Sequence, residues 1–274
     1  MNLVFDIGNT ETVLGLFEDH GLVDHWRIST RHDRTVDELG LLVRSLLRES
    51  GYQADVVRSV AIASVVPPLT ASFAAAAQQH VGADVVTIDA STPLPIRLDV
   101  EEPHSVGADR IVNTLAAMHL YRRDTIAVDL GTATTFDCIT ADGTFLGGVI
   151  APGLYTGAES LVRRTAVLPR VELQPPPLTI GRRTDLAIRS GVVFGAIDAI
   201  DGIVRRIKRE WSPGALVVAT GGLAAVIAPH CTTVDRVEPF MTLYGLDIAL
   251  RHVQAGNRPA PEPRNPRPGR RRRS

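Results

Sequence analysis

The sequence predicts an α/β fold made of two related halves, and three observations carry that prediction. First, an apolar run delivers an aspartate, a glycine follows two residues later, and hydroxyl-bearing residues then lead into a second apolar segment. Leu3 to Phe5 enters Asp6-Ile7-Gly8-Asn9-Thr10 in this way. Second, the arrangement returns about 123 residues later, where Ile126 to Val128 enters Asp129-Leu130-Gly131-Thr132-Ala133-Thr134-Thr135. One such turn is an ordinary hairpin; its repetition points to duplicated halves with two facing loops. Third, each copy is followed by helical spacing that alternates with short apolar runs.

In order, Leu3 to Phe5, Val13 to Phe17 and Leu22 to Ile28 read as an antiparallel meander with a turn over Glu18 to Gly21. Residues 33–50 place Val36, Leu39, Leu41, Leu42, Leu46 and Leu47 on one broad apolar helical face, with Gly51 as its stop. Val60 to Val66 is apolar apart from Ser64, as a buried parallel strand requires. Pro67 suits a helix start, and an Ala-rich helix runs to about His80. Val85 to Ile88 is the next strand, and a loop with Pro93, Pro95 and Pro103 follows. A helix then opens around His104-Ser105-Val106-Gly107-Ala108-Asp109-Arg110, with Ser105 as the expected N-cap, and runs to about Tyr121.

The second half repeats the pattern from Thr125: a strand to Asp129, a strand over Phe136 to Ile139, a turn at Asp142-Gly143, and a strand over Phe145 to Ile150. Helices are expected near 155–166 and 184–211. Leu216 to Ala219 is a strand that ends in Thr220-Gly221-Gly222. A short helix, a strand near 232–236 and a helix from Thr242 to about Val253 complete it. The expected domains are residues 1–122 and 123–255, followed by a Pro- and Arg-rich tail over 256–274. That tail is too poor in apolar residues to offset its ordering entropy, so it is expected to be disordered.

The totals bound the function. The 274 residues are 45% hydrophobic and 22% charged, ordinary for a globular protein. Two cysteines, Cys138 and Cys231, without a C-x-x-C or a histidine cluster, read as reduced thiols. No apolar run reaches the ~18 residues needed to span a bilayer, and the chain opens directly on a core strand. A cytoplasmic protein without a signal peptide or membrane partner is expected. The tail carries seven Arg and one Glu, so the net charge of −1 leaves −7 for the remainder. An acidic body is not a general nucleic-acid binder, so nucleic-acid contact is expected only of the tail, if at all.

Two strand-turn-strand loops facing each other make a nucleotide clamp. Gly8 and Gly131 allow a sharp turn and a close approach to a ligand. Thr10, Thr12, Thr132, Thr134 and Thr135 bring hydroxyls, and Asp6 and Asp129 carboxylates at strand ends can hold a hydrated cation. Thr220-Gly221-Gly222 is a third small-residue turn at a strand end, either a ligand loop or a plain turn. Phosphoryl transfer to a hydroxyl needs positioning, charge neutralisation and a base. Asp109, in a first helical turn, is the candidate base; the bland alternative is a helix N-terminal charge. Arg110 either binds a substrate carboxylate or amide oxygen, or forms a surface ion pair.

These residues resemble the type III pantothenate kinases, of the actin, sugar-kinase and heat-shock-chaperone superfamily, over about residues 1–254. The motifs are Asp6 to Thr10, Gly107 to Arg110, Asp129 to Thr135, Gly147-Gly148 with Pro152-Gly153, Ile180-Gly181 with Thr184, and Thr220 to Gly222. The resemblance implies two ribonuclease-H-like domains, each a mixed five-stranded sheet flanked by helices, with a cleft between them and a homodimeric assembly. It implies ATP-dependent phosphorylation of pantothenate to 4′-phosphopantothenate, the first step towards coenzyme A, with Mg²⁺ and a monovalent cation, K⁺ or NH₄⁺.

By resemblance, Asp6, Ile7, Gly8, Asn9, Thr10, Glu11, Thr12, Val13 and Thr132 contact ATP. Val100, Gly107, Ala108, Asp109, Arg110 and Thr184 contact substrate, with Asp109 as proton acceptor and Thr184 serving the neighbouring subunit. Asp129 holds the monovalent cation and Asp6 holds Mg²⁺ through water. Val100 stands where many members carry an aromatic residue. Two other readings compete: a kinase for another hydroxy acid or sugar, and a transcriptional accessory protein of the same fold.

Overall fold

The computed structural model describes residues 1–164 and 171–256. The predicted tail beyond Gly256 lies outside the described residues, as does the end of the helix expected at 155–166.

The first sheet joins β1 (Asn2–Ile7), β2 (Glu11–Glu18), β3 (Gly21–Ser29), β4 (Ser59–Ser64) and β5 (Asp84–Ile88) in the order β3-β2-β1-β4-β5. β1 to β3 form the antiparallel meander, and β4 and β5 pair in parallel with it. β1 and β4 are the central strands, so both are apolar almost throughout. One face is covered by α1 (Val36–Glu49) and α2 (Pro67–Ala76). Leu39, Val43 and Leu47 of α1 recur every fourth residue and pack on Phe5, Ile62 and Phe73. A capping box between Thr35 and Glu38 starts α1, and Gly51, at φ +86°, ends it.

The second sheet repeats the first. Its β7 (Thr125–Leu130), β8 (Ala133–Ile139) and β9 (Thr144–Pro152) form the meander, and β10 (Leu216–Thr220) and β11 (Arg236–Val237) pair in parallel beside β7. It departs from the expected five strands. A sixth, β6 (Arg97–Leu98), comes from the Pro-rich connection and lies parallel to β9. Its backbone is fixed by Arg97 N–H donating to Gly143 O (3.0 Å) and Asp99 N–H donating to Phe145 O (2.9 Å). This strand covers an edge that would otherwise present unpaired backbone groups. α4 (Leu154–Arg164), α5 (Thr184–Glu210) and α6 (Ala224–Ile227) flank the sheet. Val193, Ile197, Ile200, Val204 and Ile207 of α5 pack on Val128 and Val217, so the apolar stripe of this helix is buried under its own sheet.

Two helices, α3 (Ala108–Tyr121) and α7 (Met241–Gly256), lie between the sheets. Leu243, Leu246 and Leu250 of α7 pack with Ile111 and Leu115 of α3 against Val4, Phe17 and Ala61 of the first sheet. Ala116, Ala117 and Met241 pack against Ala127, Phe145 and Val218 of the second. The two helices approach so closely that a Cβ on Gly245 would lie 2.0 Å from Val112 O. α7 thus returns to the first sheet, where Asn2 Nδ2 donates to Asp247 Oδ1 (2.8 Å) and Gln254 Nε2 to Ser59 Oγ (2.6 Å).

α3 starts later than expected. Its N-cap is Gly107, and Ser105 belongs to a separate 3₁₀ turn in which its hydroxyl donates to Glu102 O (2.8 Å). Among the described residues no helix is long and apolar enough to cross a membrane.

Candidate active site

The two Asp-Gly hairpins meet tip to tip. Thr10 Oγ1 lies 3.0 Å from Thr132 Oγ1 across the cleft between the sheets. In the first hairpin Gly8 N–H donates to Glu11 O (3.0 Å), and in the second Gly131 N–H donates to Ala133 O (3.0 Å). Asp6 and Asp129 occupy equivalent places near the ends of β1 and β7. Asp109 reaches the same region from the first turn of α3. All three are partly buried, and their charges act on one another.

Burial, followed by the charges of Asp109 and Asp129, raises the Asp6 carboxyl well above the ordinary range. Burial pushes Asp129 up to about 7, with Asp109 and Asp137 adding to the rise and a hydrogen bond from Asn113 opposing it. Burial also raises Asp109, against the pull of the Arg110 N–H and guanidinium. Three acids with little compensating charge make a site that asks for a cation.

Among the described residues no three His, Cys, Asp or Glu side chains converge tightly enough to cage a metal alone. That donor set still fits Mg²⁺, a hard cation that keeps its waters and binds through one or two carboxylates plus phosphate oxygens. Gly221 closes over Asp129: it sits at φ +89°, and a Cβ there would lie 2.2 Å from Asp129 Oδ1. The Thr220-Gly221-Gly222 turn therefore belongs to this cleft. Gly222 in turn meets Arg27 from β3, which also pairs with Glu11 (3.0 Å) and so links the two halves again.

Gly107 has an ordinary φ of −60°, so its need for glycine is spatial. A Cβ would lie 2.4 Å from Asp109 Oδ1, where the carboxylate folds back over the loop and accepts from Arg110 N–H (2.9 Å). Arg110 does not form the surface ion pair weighed as one reading. Its Nε donates to Asp137 Oδ1 (2.6 Å), and Asp137 is 0% exposed. The guanidinium also lies over the Phe145 ring, 4.9 Å from its centroid. Val100 borders this wall, 3.6 Å from where a Cβ of Gly147 would stand.

Other predicted residues are placed differently. Thr12 is 0% exposed, and its hydroxyl bonds Thr30 Oγ1 (2.9 Å), which donates to Gly8 O (2.8 Å). Its side chain braces the turn from the inside. Ile7 is core and Val13 packs at the edge of the core between the sheets, so those two side chains also face inward. Thr134 is buried as well. Asn9 and Glu11 are exposed at the turn, and Ala108 is buried at the start of α3. Thr184 is exposed at the first position of α5, and no hydrogen bond among the described residues ties it to the acid cluster.

Three contributors are absent from the sequence reading: Asp137, Asn113 and Phe145. Asp137 had a signal, a carboxylate inside the otherwise apolar Phe136 to Ile139 run. Asn113 is 1% exposed and accepts from Thr242 Oγ1 (3.0 Å), a pairing 129 residues apart that no local pattern announces.

A sequence model of type III pantothenate kinase matches residues 2–206. The chain belongs to the type III pantothenate kinase family. A family member from Moorella thermoacetica is 44% identical over 250 residues, covering 90% of this chain and 98% of its own. One from Exiguobacterium sp. is 43% identical over 254 residues, covering 93% and 100%. Among solved structures, a Campylobacter jejuni protein assigned to the Baf family of transcriptional activators superposes with a TM-score of 0.58 at 17% identity, covering 92% of this chain and 99% of its own. The ethanolamine utilization protein EutJ from Carboxydothermus hydrogenoformans gives 0.51 at 17% identity, covering 90% and 88%. These two likenesses concern the fold alone. With the family they agree on two mixed sheets flanked by helices.

Proposed function

We propose that this chain phosphorylates pantothenate with ATP, giving 4′-phosphopantothenate and ADP, the entry to coenzyme A. The observation that carries the reading is the convergence of Asp6, Asp109 and Asp129 on one cleft, where each raises or is raised by another's charge. The backbone turns at Gly8 to Thr10 and Gly131 to Thr132 sit at the tips of that cleft and suit the phosphates of ATP. Asp6 would hold Mg²⁺ through water, and that ion would supply neutralisation of phosphate charge. Asp129, under the Gly221 turn, suits a monovalent cation, K⁺ or NH₄⁺.

Asp109 acts as the base. It takes the proton from the primary hydroxyl of pantothenate as that oxygen forms a bond to the γ-phosphorus, and the β–γ bridging oxygen leaves with ADP. A carboxyl raised by burial is better matched to this task at neutral pH than an ordinary aspartate. Arg110, rigidly held, takes the carboxylate end of pantothenate, and Val100 supplies an apolar wall. Thr184 is exposed and distant in bonding terms, which suits service to the site of a second copy. Ile150, Tyr155, Leu178 and Ile180 are exposed large apolar side chains on the same half, Ile180 at 82%, and they favour a homodimer. Cytoplasmic placement goes with this reading.

The test is ATP consumption by the purified chain with pantothenate, with and without K⁺ or NH₄⁺. Pantothenate-dependent turnover that rises with one of these cations supports the reading. Turnover of other hydroxy acids or sugars in its place would overturn it.

A further inference from the structure

The pair formed by Arg110 and Asp137 is unusual in what it leaves undone. Asp137 is completely buried in β8, and the Arg110 side chain is 16% exposed. A carboxylate and a guanidinium can join through two parallel hydrogen bonds. Here only Nε to Oδ1 (2.6 Å) is made. Arg110 Nη2 and Asp137 Oδ2 are both buried and find no hydrogen-bond partner among the described residues. Each such orphan is costly and calls for a partner that water, an ion or a functional role supplies.

The guanidinium is confined on its other sides. The Phe145 ring lies under it at 4.9 Å. Gly148 stands beside Nη2, and a Cβ there would come to 3.0 Å from that nitrogen and 1.7 Å from Phe136 O. One carboxylate, one ring and one bare backbone position therefore hold the fork by its Nε side. Arg110 adjoins Asp109, the group placed to activate the hydroxyl.

We propose that Asp137, assisted by Phe145, is a positioning residue that holds Arg110 by its Nε side and leaves the remaining nitrogen, Nη1, which is neither bonded among the described residues nor buried, for the carboxylate of the hydroxy-acid substrate. This rests on the function proposed above, with Arg110 as the carboxylate ligand. A purely structural ion pair, bracing α3 against β8, would instead affect stability and all substrates alike. A positioned guanidinium selects for substrate charge. Asp137→Asn keeps an oxygen for Nε and the same volume, but it removes the charge that fixes the fork.

The experiment compares kcat and KM of the full chain on two alcohols: pantothenate, and the neutral analogue whose carboxylate is replaced by a hydroxymethyl group. For Asp137→Asn, the KM for pantothenate should rise about tenfold or more, the scale of one lost charge-supported contact. Its kcat should stay within about threefold, and the KM for ATP and for the neutral analogue should stay near wild type. Phe145→Leu keeps an apolar core but removes the ring, and it should show the same substrate-selective change to a smaller degree. It serves as the test if Asp137→Asn fails to fold. Equal losses on both alcohols, or an unchanged pantothenate KM in the variant that folds, would overturn the proposal. A wild-type enzyme that turns over neither alcohol removes the functional reading itself, an outcome distinct from either variant result.

Discussion

The two Asp-Gly hairpins share a backbone plan but differ in their surroundings. Residues 8–11 separate the paired Ile7 and Thr12 in the first, and residues 131–133 separate Leu130 and Thr134 in the second. The first loop is longer, and it is braced from below by Thr12 and Thr30. The larger difference is electrostatic. Asp6 is raised by burial and by two other acids. Asp129 is raised by burial and by two acids but receives a hydrogen bond from Asn113 and is roofed by Gly221. The two halves share one strand-turn-strand device, but only Asp129 gains a neutral donor and a glycine roof from its neighbours.

The first way to break this comparison is to neutralise each acid. Asp6→Asn should lower kcat/KM for ATP by roughly 10²-fold or more, the scale of a lost electrostatic contact in a preorganised site. Asp129→Asn should cost less and should weaken the response to K⁺ or NH₄⁺. Equal losses with that response intact would make the hairpins interchangeable.

A second test uses pH. Asp129 titrates at about 7 when folded, against an ordinary value of 3.8. Between those values the native state binds more protons than the unfolded chain, so this group's contribution to stability falls as pH rises through 7. Ligand-free Asp129→Asn should therefore melt above wild type at pH 8, with the gain fading towards pH 5. Constant Tm differences across that range would contradict the assignment.

A third, smaller effect separates the turns themselves. A Cβ at Gly8 would come to 2.9 Å from Glu11 O, whereas at Gly131 the nearest atom is 3.6 Å away. Gly8→Ala should cost about 1 kcal/mol, a Tm loss of about 2–4 °C, and Gly131→Ala much less. Thermal melts decide it. Smallest of all, Thr10→Ala removes the exposed Thr10–Thr132 hydrogen bond and should change stability by no more than about 0.5 kcal/mol.

Much of this architecture was legible in the chain. Both hairpins announce themselves, because a continuous apolar run, an acid and a glycine are local features. The helix over 36–49 follows from its apolar spacing, and Thr35 caps it. β6 has no signal in the sequence, because two residues, Arg97 and Leu98, carry no periodicity, and only the edge of β9 makes them a strand. The start of α3 is not legible locally, because Ser105 is a good cap by composition but is held by Glu102 in its own turn. The acids at 6, 109 and 129 were readable from motifs, whereas the pairings of Arg110 with Asp137 and Asn113 with Thr242 are tertiary. The return of α7 to the first sheet, through Asn2 and Asp247, joins residues 245 apart. Thr12 carries a further tertiary feature: strand alternation turns its hydroxyl inward to Thr30.

The central claim is that Asp109 removes the proton while the two hairpins hold the nucleotide. Its most direct test is Asp109→Asn, measured for both ATP affinity and pantothenate-dependent kcat. ATP affinity near wild type with kcat reduced by roughly 10²-fold or more is the predicted result. Turnover close to wild type would contradict it.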